Sequence, residues 1–168
     1  GSHDTIEREK GGGTMIFLIL TGIIFFTEYY VKQHMDKVYT QKDKRCLAGG
    51  RIVLRKYYNS GAAGNFLSSR PECVCLLHTS VLTAVWTCFL YVLPKKGLYL
   101  VKTGLSFLAG GGLSNLYDRI RKGHVVDYIS FGFGPGWFQK LVFNSADFFV
   151  FAGILLGLIQ FFKKEGNL

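Results

Sequence analysis

GGGLSNLYDRIRKGHVVDYISFGFGPGWFQKLVFNSADFFVFAG, residues 110–153, decides the fold because it sets charge where the flanking sequence is apolar. Asp118, Arg119, Asp127, Asn144 and Asp147 fall between or inside two long hydrophobic segments. Charged groups in such surroundings are costly enough that a functional role is the default expectation. The stretch reads as a membrane-embedded active site.

Outward from it, the chain divides into four apolar spans. Leu98 to Tyr117 precedes the polar stretch and Leu141 to Phe162 follows it. Upstream lie Leu76 to Leu93 and Met15 to Val31. Met15 to Val31, at about 1.5 Å per residue, falls slightly short of a roughly 30 Å hydrocarbon core. The turn Pro94-Lys95-Lys96-Gly97 is so short that the second and third helices must be antiparallel neighbours, with Tyr91 and Tyr99 as interface anchors. Gly104 and Gly110-Gly111-Gly112 leave little bulk on the third helix and permit close approach by a neighbour. His78 and Lys102 sit near helix ends, where a polar tip reaches water, and are read as structural. Between the first two spans, Arg51 to Tyr58 is rich in β-formers and is followed by the turn Asn59-Ser60-Gly61. A small sheet on the membrane surface is expected there. Arg119 to Lys140 reads as an interfacial loop, mobile at Gly132, Gly134, Pro135 and Gly136, whose Phe131, Phe133, Trp137 and Phe138 dip into headgroups or cover a groove. The expected fold is therefore an all-α membrane protein of four transmembrane helices with a small β-sheet between helices 1 and 2.

Composition agrees. Hydrophobic residues make up 49% and charged residues 18%, against about 25% charged in ordinary soluble domains. Residues 1–14, with GSH at the start and GGGT before Met15, read as a cloning scar and linker ahead of a single domain, 15–168. Without them there are eighteen basic and eight acidic residues, a net charge of +10. No zinc-finger spacing, RNA-binding signature or basic helix receives nucleic acid, so anionic membrane lipids are the expected counter-charge. The four cysteines, Cys46, Cys73, Cys75 and Cys88, lack a zinc hook, and a disulfide from Cys46 to Cys73 or Cys75 is left open. Charge gives conflicting orientations. Lys95-Lys96 and Lys163-Lys164 put both termini in the cytoplasm, whereas nine basic residues between Lys32 and Arg70 place that loop there instead.

The chemistry centres on two acids. Antiparallel packing of the last two helices brings Asp127 and Asp147 together near one membrane face. Two carboxylates in a low-dielectric groove share a proton, and the pair titrates as a unit. The ionised member takes a proton from water that attacks an amide carbonyl, while the protonated member polarises the carbonyl oxygen; neither metal, cofactor nor covalent nucleophile is needed. Asp147 has no basic residue near it on its own helix, which leaves little room for a merely structural role. Asp118, beside Arg119, is instead expected to settle a helix end with Arg119, Arg121 or Lys122. Glu28 and Lys32, at i and i+4, can pair on one helix face, either as interface residues that snorkel or as groups beside the site. His124 is not favoured as a proton carrier.

Four motifs in order, Asn59-Ser-Gly-Ala-Ala63, Ser114-Asn-Leu-Tyr-Asp-Arg119, Gly123-His-Val-Val-Asp-Tyr128 and Phe143-Asn-Ser-Ala-Asp147, resemble those of lipoprotein signal peptidase, signal peptidase II. The resemblance covers Met15 onward. It implies a bacterial intramembrane aspartyl peptidase with cytoplasmic termini and an extracytoplasmic sheet that cradles substrate. The substrate would be a diacylglyceryl-modified prolipoprotein, cut before the lipid-bearing cysteine, and the enzyme is expected as a monomer. Asp127 and Asp147 match the catalytic pair. Asn59, Asn115, Arg119 and Asn144 match polar positions around it, and Asp118 the acid of the Asp-Arg pair. Where the family carries Asp-Gln-x-Thr-Lys, this chain has Glu28-Tyr-Tyr-Val-Lys32, and Ser114 replaces a glycine. Those departures motivate a second reading, a paralogue of the same fold acting on another membrane peptide. A third, from a different class, is a membrane carrier using the acids as a proton relay; neither an inverted repeat nor an interrupted helix pair supports it.

Overall fold

A computed structural model describes residues 2–62 and 67–165, with side chains described for 13–62 and 67–163. Ala63 of the first motif and the side chain of Lys164 lie outside the described residues. The chain runs α1 (Ser2–Val38), β1 (Lys44–Leu47), a 3-10 turn, β2 (Ile52–Asn59), α2 (Pro71–Val92), α3 (Tyr99–Lys122), β3 (Val125–Phe131), a short α4 (Gly136–Lys140) and α5 (Ser145–Glu165). It is mostly helical, with three helices long and apolar enough to cross a membrane: Gly13–Val38, Pro71–Val92 and Ser145–Lys163.

α3 is the centre of the bundle, with α1, α2 and α5 all packed against it. Apolar residues on its three partners, among them Ile19, Leu76, Leu90, Phe151 and Leu155, stay exposed on the outside, where a lipid solvent would meet them. The expected role of glycine holds. A Cβ at Gly104 would lie 2.8 Å from the Gly153 carbonyl oxygen, at Gly110 2.8 Å from that of Thr21, and at Gly111 2.7 Å from that of Ala146. These contacts let α1 and α5 pack backbone to backbone on α3. Phe17, Phe89, Leu105 and Ala109 fill the core beneath them.

Element ends depart from the sequence expectation in specific ways. α1 starts upstream of Met15 and runs past Val31 to Val38, because Lys32 and Met35 are buried rather than solvated. α2 begins at Pro71, not Leu76, since proline is preorganised for a first helical position. α3 continues to Lys122 and stops where Gly123 takes a left-handed φ of 77°. Lys102 does not reach water: its Nζ donates to the Lys95 carbonyl and covers the turn after α2.

The larger correction concerns residues 119–140, expected as a loop. Val125–Phe131 is a third strand, antiparallel to β2, in a sheet of order β1-β2-β3. The sheet thus draws on the segment after α3 as well as the one between α1 and α2. Gly136–Lys140 is a short helix, with Phe138 stacked on Phe131 at 5.5 Å between ring centroids. Leu141 to Asn144, expected as helix, is extended, and Phe143 bridges Ile129. Asp36 ties the sheet to the bundle, accepting from Tyr58 Oη at 2.6 Å and pairing with Lys122 at 3.2 Å and Lys56 at 3.6 Å.

Gly111→Ala should lower stability by about 1–3 kcal/mol, because α5 must move away from the new methyl group. Gly157→Ala, whose Cβ would meet nothing within 4 Å, serves as the control. Thermal unfolding in one detergent compares them, and equal midpoints would contradict the close-packing account.

Candidate active site

Asp147 is placed by its own helix start. Asn144 immediately precedes α5, and its Oδ1 accepts the Asp147 N–H at 3.1 Å, while Asp147 Oδ2 accepts the Asn144 N–H at 3.0 Å. This reciprocal pair is a capping box, which satisfies backbone donors a helix start would otherwise leave open. Phe143-Asn-Ser-Ala-Asp147 therefore encodes a helix start and a fixed carboxylate in the same residues.

Asp127 is placed by the sheet. Pairing passes from Leu54↔Ile129 to Tyr57↔Asp127, three residues of β2 against two of β3. The extra residue is a bulge, which changes the face on which later side chains fall. It aligns Asn59 diagonally with Asp127, and Asn59 Nδ2 donates to Asp127 Oδ2 at 3.0 Å. Asn144 Nδ2 donates to the other oxygen at 2.7 Å. Burial pushes the Asp127 carboxyl up to about 7; the neighbouring Asp147 carboxylate adds to the rise, and the two asparagine hydrogen bonds oppose it.

A buried lysine orients the amides. Lys32 is 1% exposed, and its Nζ donates to Asn115 Oδ1 at 2.7 Å and Ser114 Oγ at 3.0 Å and pairs with Asp118 at 3.3 Å. Asn144 Nδ2 also donates to Asn115 Oδ1, at 3.1 Å. With that oxygen claimed twice, Asn115 Nδ2 faces Asp147 Oδ1 and donates at 2.9 Å. Each carboxylate thus accepts two hydrogen bonds from groups that are themselves held.

Asp127, Asp147, Asn59, Asn115, Arg119 and Asn144 line one cavity of about 450 Å³, walled on its apolar side by Trp137, Phe143, Val150 and Phe151. Six of the nine residues singled out from sequence converge there. Arg119 does not pair directly with either carboxylate: its guanidinium donates to the Gly61 carbonyl at 2.6 Å, and the Gly61 N–H donates to Asn59 Oδ1 at 3.1 Å. It holds the turn that carries Asn59. Asp118 settles a helix end as expected, through Lys122 at 3.5 Å, and also accepts the Val126 N–H at 3.4 Å.

Glu28 and Lys32 neither snorkel nor pair with each other. Both are buried, Lys32 in the network above and Glu28 against Tyr128 and Ser145. Those two hydroxyl residues were missed, because Tyr128 lay in the stretch read as an interfacial loop and Ser145 inside the apolar run read as the fourth span. His124 lies outside the cavity wall, its ring 4.2 Å from that of Tyr58, and burial holds its imidazole below the ordinary value. The four cysteines are free thiols. Among the described residues, no cluster of three His, Cys, Asp or Glu side chains is arranged to hold a metal.

Removing Lys32 should be severe. Lys32→Met leaves Asp118 with Lys122 and the Val126 N–H and Asn115 Oδ1 without its ammonium, and a broken buried pair costs about 3–5 kcal/mol. Adding Asp118→Asn should recover part of the loss. A thermal midpoint unmoved by the single substitution would contradict this network.

The comparisons with known proteins agree with this geometry. The family described as signal peptidase (SPase) II matches residues 14–163. A lipoprotein signal peptidase of Caldicellulosiruptor bescii is 30% identical over 91% of this chain and 95% of its own. That of Ectopseudomonas mendocina is 29% identical over 91% of each. A solved bacterial membrane enzyme structure at 2.3 Å resolution superposes with a TM-score of 0.77 over 90% of each chain at 20% identity, a likeness of fold. With the family pattern spanning nearly the whole chain, this protein belongs to the signal peptidase II family of membrane peptidases.

Proposed function

We propose that Asp127 and Asp147 are the catalytic pair with which this signal peptidase II hydrolyses a prolipoprotein before its diacylglyceryl-cysteine. The observation that carries the proposal is the convergence of two carboxylates, from β3 and α5, on one half-apolar cavity, each restrained by two amide-type donors. With one proton shared between them, the ionised member takes a proton from water, which attacks the scissile carbonyl. The protonated member donates a hydrogen bond to the carbonyl oxygen, and the proton gained by its partner passes to the leaving amine. Asn59 and Arg119, on opposite sides of Gly61, orient the extended substrate backbone. The apolar wall at Val150 and Phe151 suits the signal peptide or the lipid chains.

The same reading treats α3 as a fourth span, with both termini cytoplasmic, the site near the outer face and the enzyme monomeric in anionic lipid. α3 has 24 residues, roughly 36 Å at 1.5 Å each, and its Ser106, Ser114, Asn115 and Asp118 side chains are buried in the bundle. Against the opposing charge count, Lys32 lies buried in α1 and pairs with Asp118, while in the loop Lys56 pairs with Asp36 and Arg55 donates to the Gln139 and Lys140 carbonyls. A paralogue acting on a different membrane peptide keeps the same pair and changes only what lies against the cavity wall. A proton-relay carrier is not favoured in a family of peptidases.

Asp127→Asn and Asp147→Asn should each lower kcat by roughly 100- to 10,000-fold, the range supplied by general acid–base catalysis, with thermal midpoints retained. A gel-shift assay with a diacylglyceryl-modified prolipoprotein measures this, and cleavage at the wild-type rate by either variant would remove that residue from the pair. Cleavage of another membrane peptide alone would select the paralogue reading.

The pH dependence follows from the raised Asp127 carboxyl. Below about 7 the pair keeps its shared proton; as pH rises through that value the proton is lost and no group remains to polarise the carbonyl. The rate should therefore fall along an alkaline limb centred near 7. A rate profile flat from about pH 6 to about pH 9 would contradict the shared proton.

A further inference from the structure

Behind the carboxylates lies a second polar cluster that the hydrolysis does not use. Glu28, on α1, is 0% exposed and is absent from the cavity wall. Its Oε1 accepts from Tyr128 Oη at 3.3 Å and from Ser145 Oγ, while Oε2 has no hydrogen-bond partner. The two hydroxyls meet each other at 2.7 Å, and the Ser145 N–H donates to Tyr128 Oη at 3.2 Å. Burial and the Glu28 carboxyl both hold the Tyr128 phenol above its ordinary value, so it stays a donor.

The positions of the two hydroxyl residues give the cluster its meaning. Tyr128 follows Asp127 on β3, and alternation along a strand sends its side chain to the face opposite the catalytic carboxyl. Ser145 is the first residue of α5, between the cap Asn144 and Asp147. Holding these two side chains therefore fixes the spacing of two backbones, one bearing each acid. A buried carboxyl with an orphan oxygen is a poor stabiliser, since an apolar side chain of similar volume is commonly neutral or better at such a place.

We infer that Glu28 is a positioning residue: through the Tyr128 and Ser145 hydroxyls it clamps β3 to the start of α5 and so sets the spacing of Asp127 and Asp147. The clamp rests on the peptidase reading above and deepens it.

The test compares the unsubstituted chain in detergent with Glu28→Leu, Glu28→Gln and Tyr128→Phe, reading kcat, KM and thermal midpoint on a diacylglyceryl-modified prolipoprotein. Glu28→Leu fills the site without an acceptor. It should leave the midpoint level or higher while lowering kcat about tenfold or more, with KM within about twofold, since small misplacements of reacting groups act on the chemical step. Tyr128→Phe keeps the ring and should show the same split, and Glu28→Gln, which keeps a carbonyl acceptor, should stay within about threefold of wild type. Wild-type kcat in either Glu28→Leu or Tyr128→Phe overturns the inference, as does a fall in kcat matched by loss of fold in both. If Glu28→Leu fails to fold, Tyr128→Phe decides alone. Should the wild type itself not cleave, the peptidase reading fails separately, and infrared titration of the carboxyl bands decides: a titration of the acid pair unchanged by Tyr128→Phe overturns the clamp, and a shifted one supports it.

Discussion

The site depends on a buried ammonium. Lys32 enters from α1 and meets Asp118, Ser114 and Asn115 in a space almost closed to solvent. Asp118 pairs with it and the Ser114 and Asn115 oxygens accept from it, the partners a buried cation requires. The consequence reaches beyond stability. An asparagine amide has two ends, and a carboxylate can use only the one that donates; Lys32 and Asn144 both occupy Asn115 Oδ1, which leaves Nδ2 for Asp147. One charge thereby orders a chain of neutral groups, and those groups order the acids without quenching them. Had Lys32 met a carboxylate of the pair directly, it would have favoured the doubly ionised form and removed the shared proton on which the proposed chemistry rests.

Close helix packing makes that network geometrically attainable. Gly111 opposes Ala146, the residue just before Asp147, so the approach of α3 to α5 is set beside the acid itself. Gly104 and Gly153 repeat the arrangement further along the same pair of helices. With side chains at those places the helices would stand apart, and Asn115 would not reach Asp147 at 2.9 Å. The small residues thus carry a functional distance as well as a packing contact.

Much of this was legible in the sequence, for physical reasons that differ by element. The apolar spans were readable because lipid demands uninterrupted hydrophobic length, and the glycines of α3 because only close approach gives them a use. Asp127 and Asp147 stood out because charge beside such spans is costly. β3 was not legible: Val125 to Ser130 is buried on both faces except at Ile129, so it lacks the alternation that marks a half-exposed strand. The helical reading of Leu141 to Asn144 failed for a related reason. Continuous hydrophobicity marks burial without saying which backbone geometry achieves it, and the local signal, an asparagine three residues before an aspartate, marked a helix start inside the apolar run. Glu28 and Lys32 were visible as a pair at helical spacing, yet their partners lie about 80 to 120 residues away and no local pattern names them.

The strand also answers why one of the two acids does not come from a helix. A non-helical segment at the edge of a membrane must still satisfy its peptide groups. Here Tyr128 and Ile129 both donate their N–H groups to the Phe143 carbonyl, at 2.8 and 2.7 Å, and the Phe143 N–H returns to the Ile129 carbonyl at 2.7 Å. On its other edge β3 is paired with β2. The extended segment before Asn144 is therefore bound to the strand that carries Asp127, so both acids hang from one continuous hydrogen-bonded backbone. A helix would have offered a single face at a fixed tilt. A strand bonded on both edges, next to a capped helix start, lets one carboxylate face the other across a cavity while the intervening peptide groups remain paired.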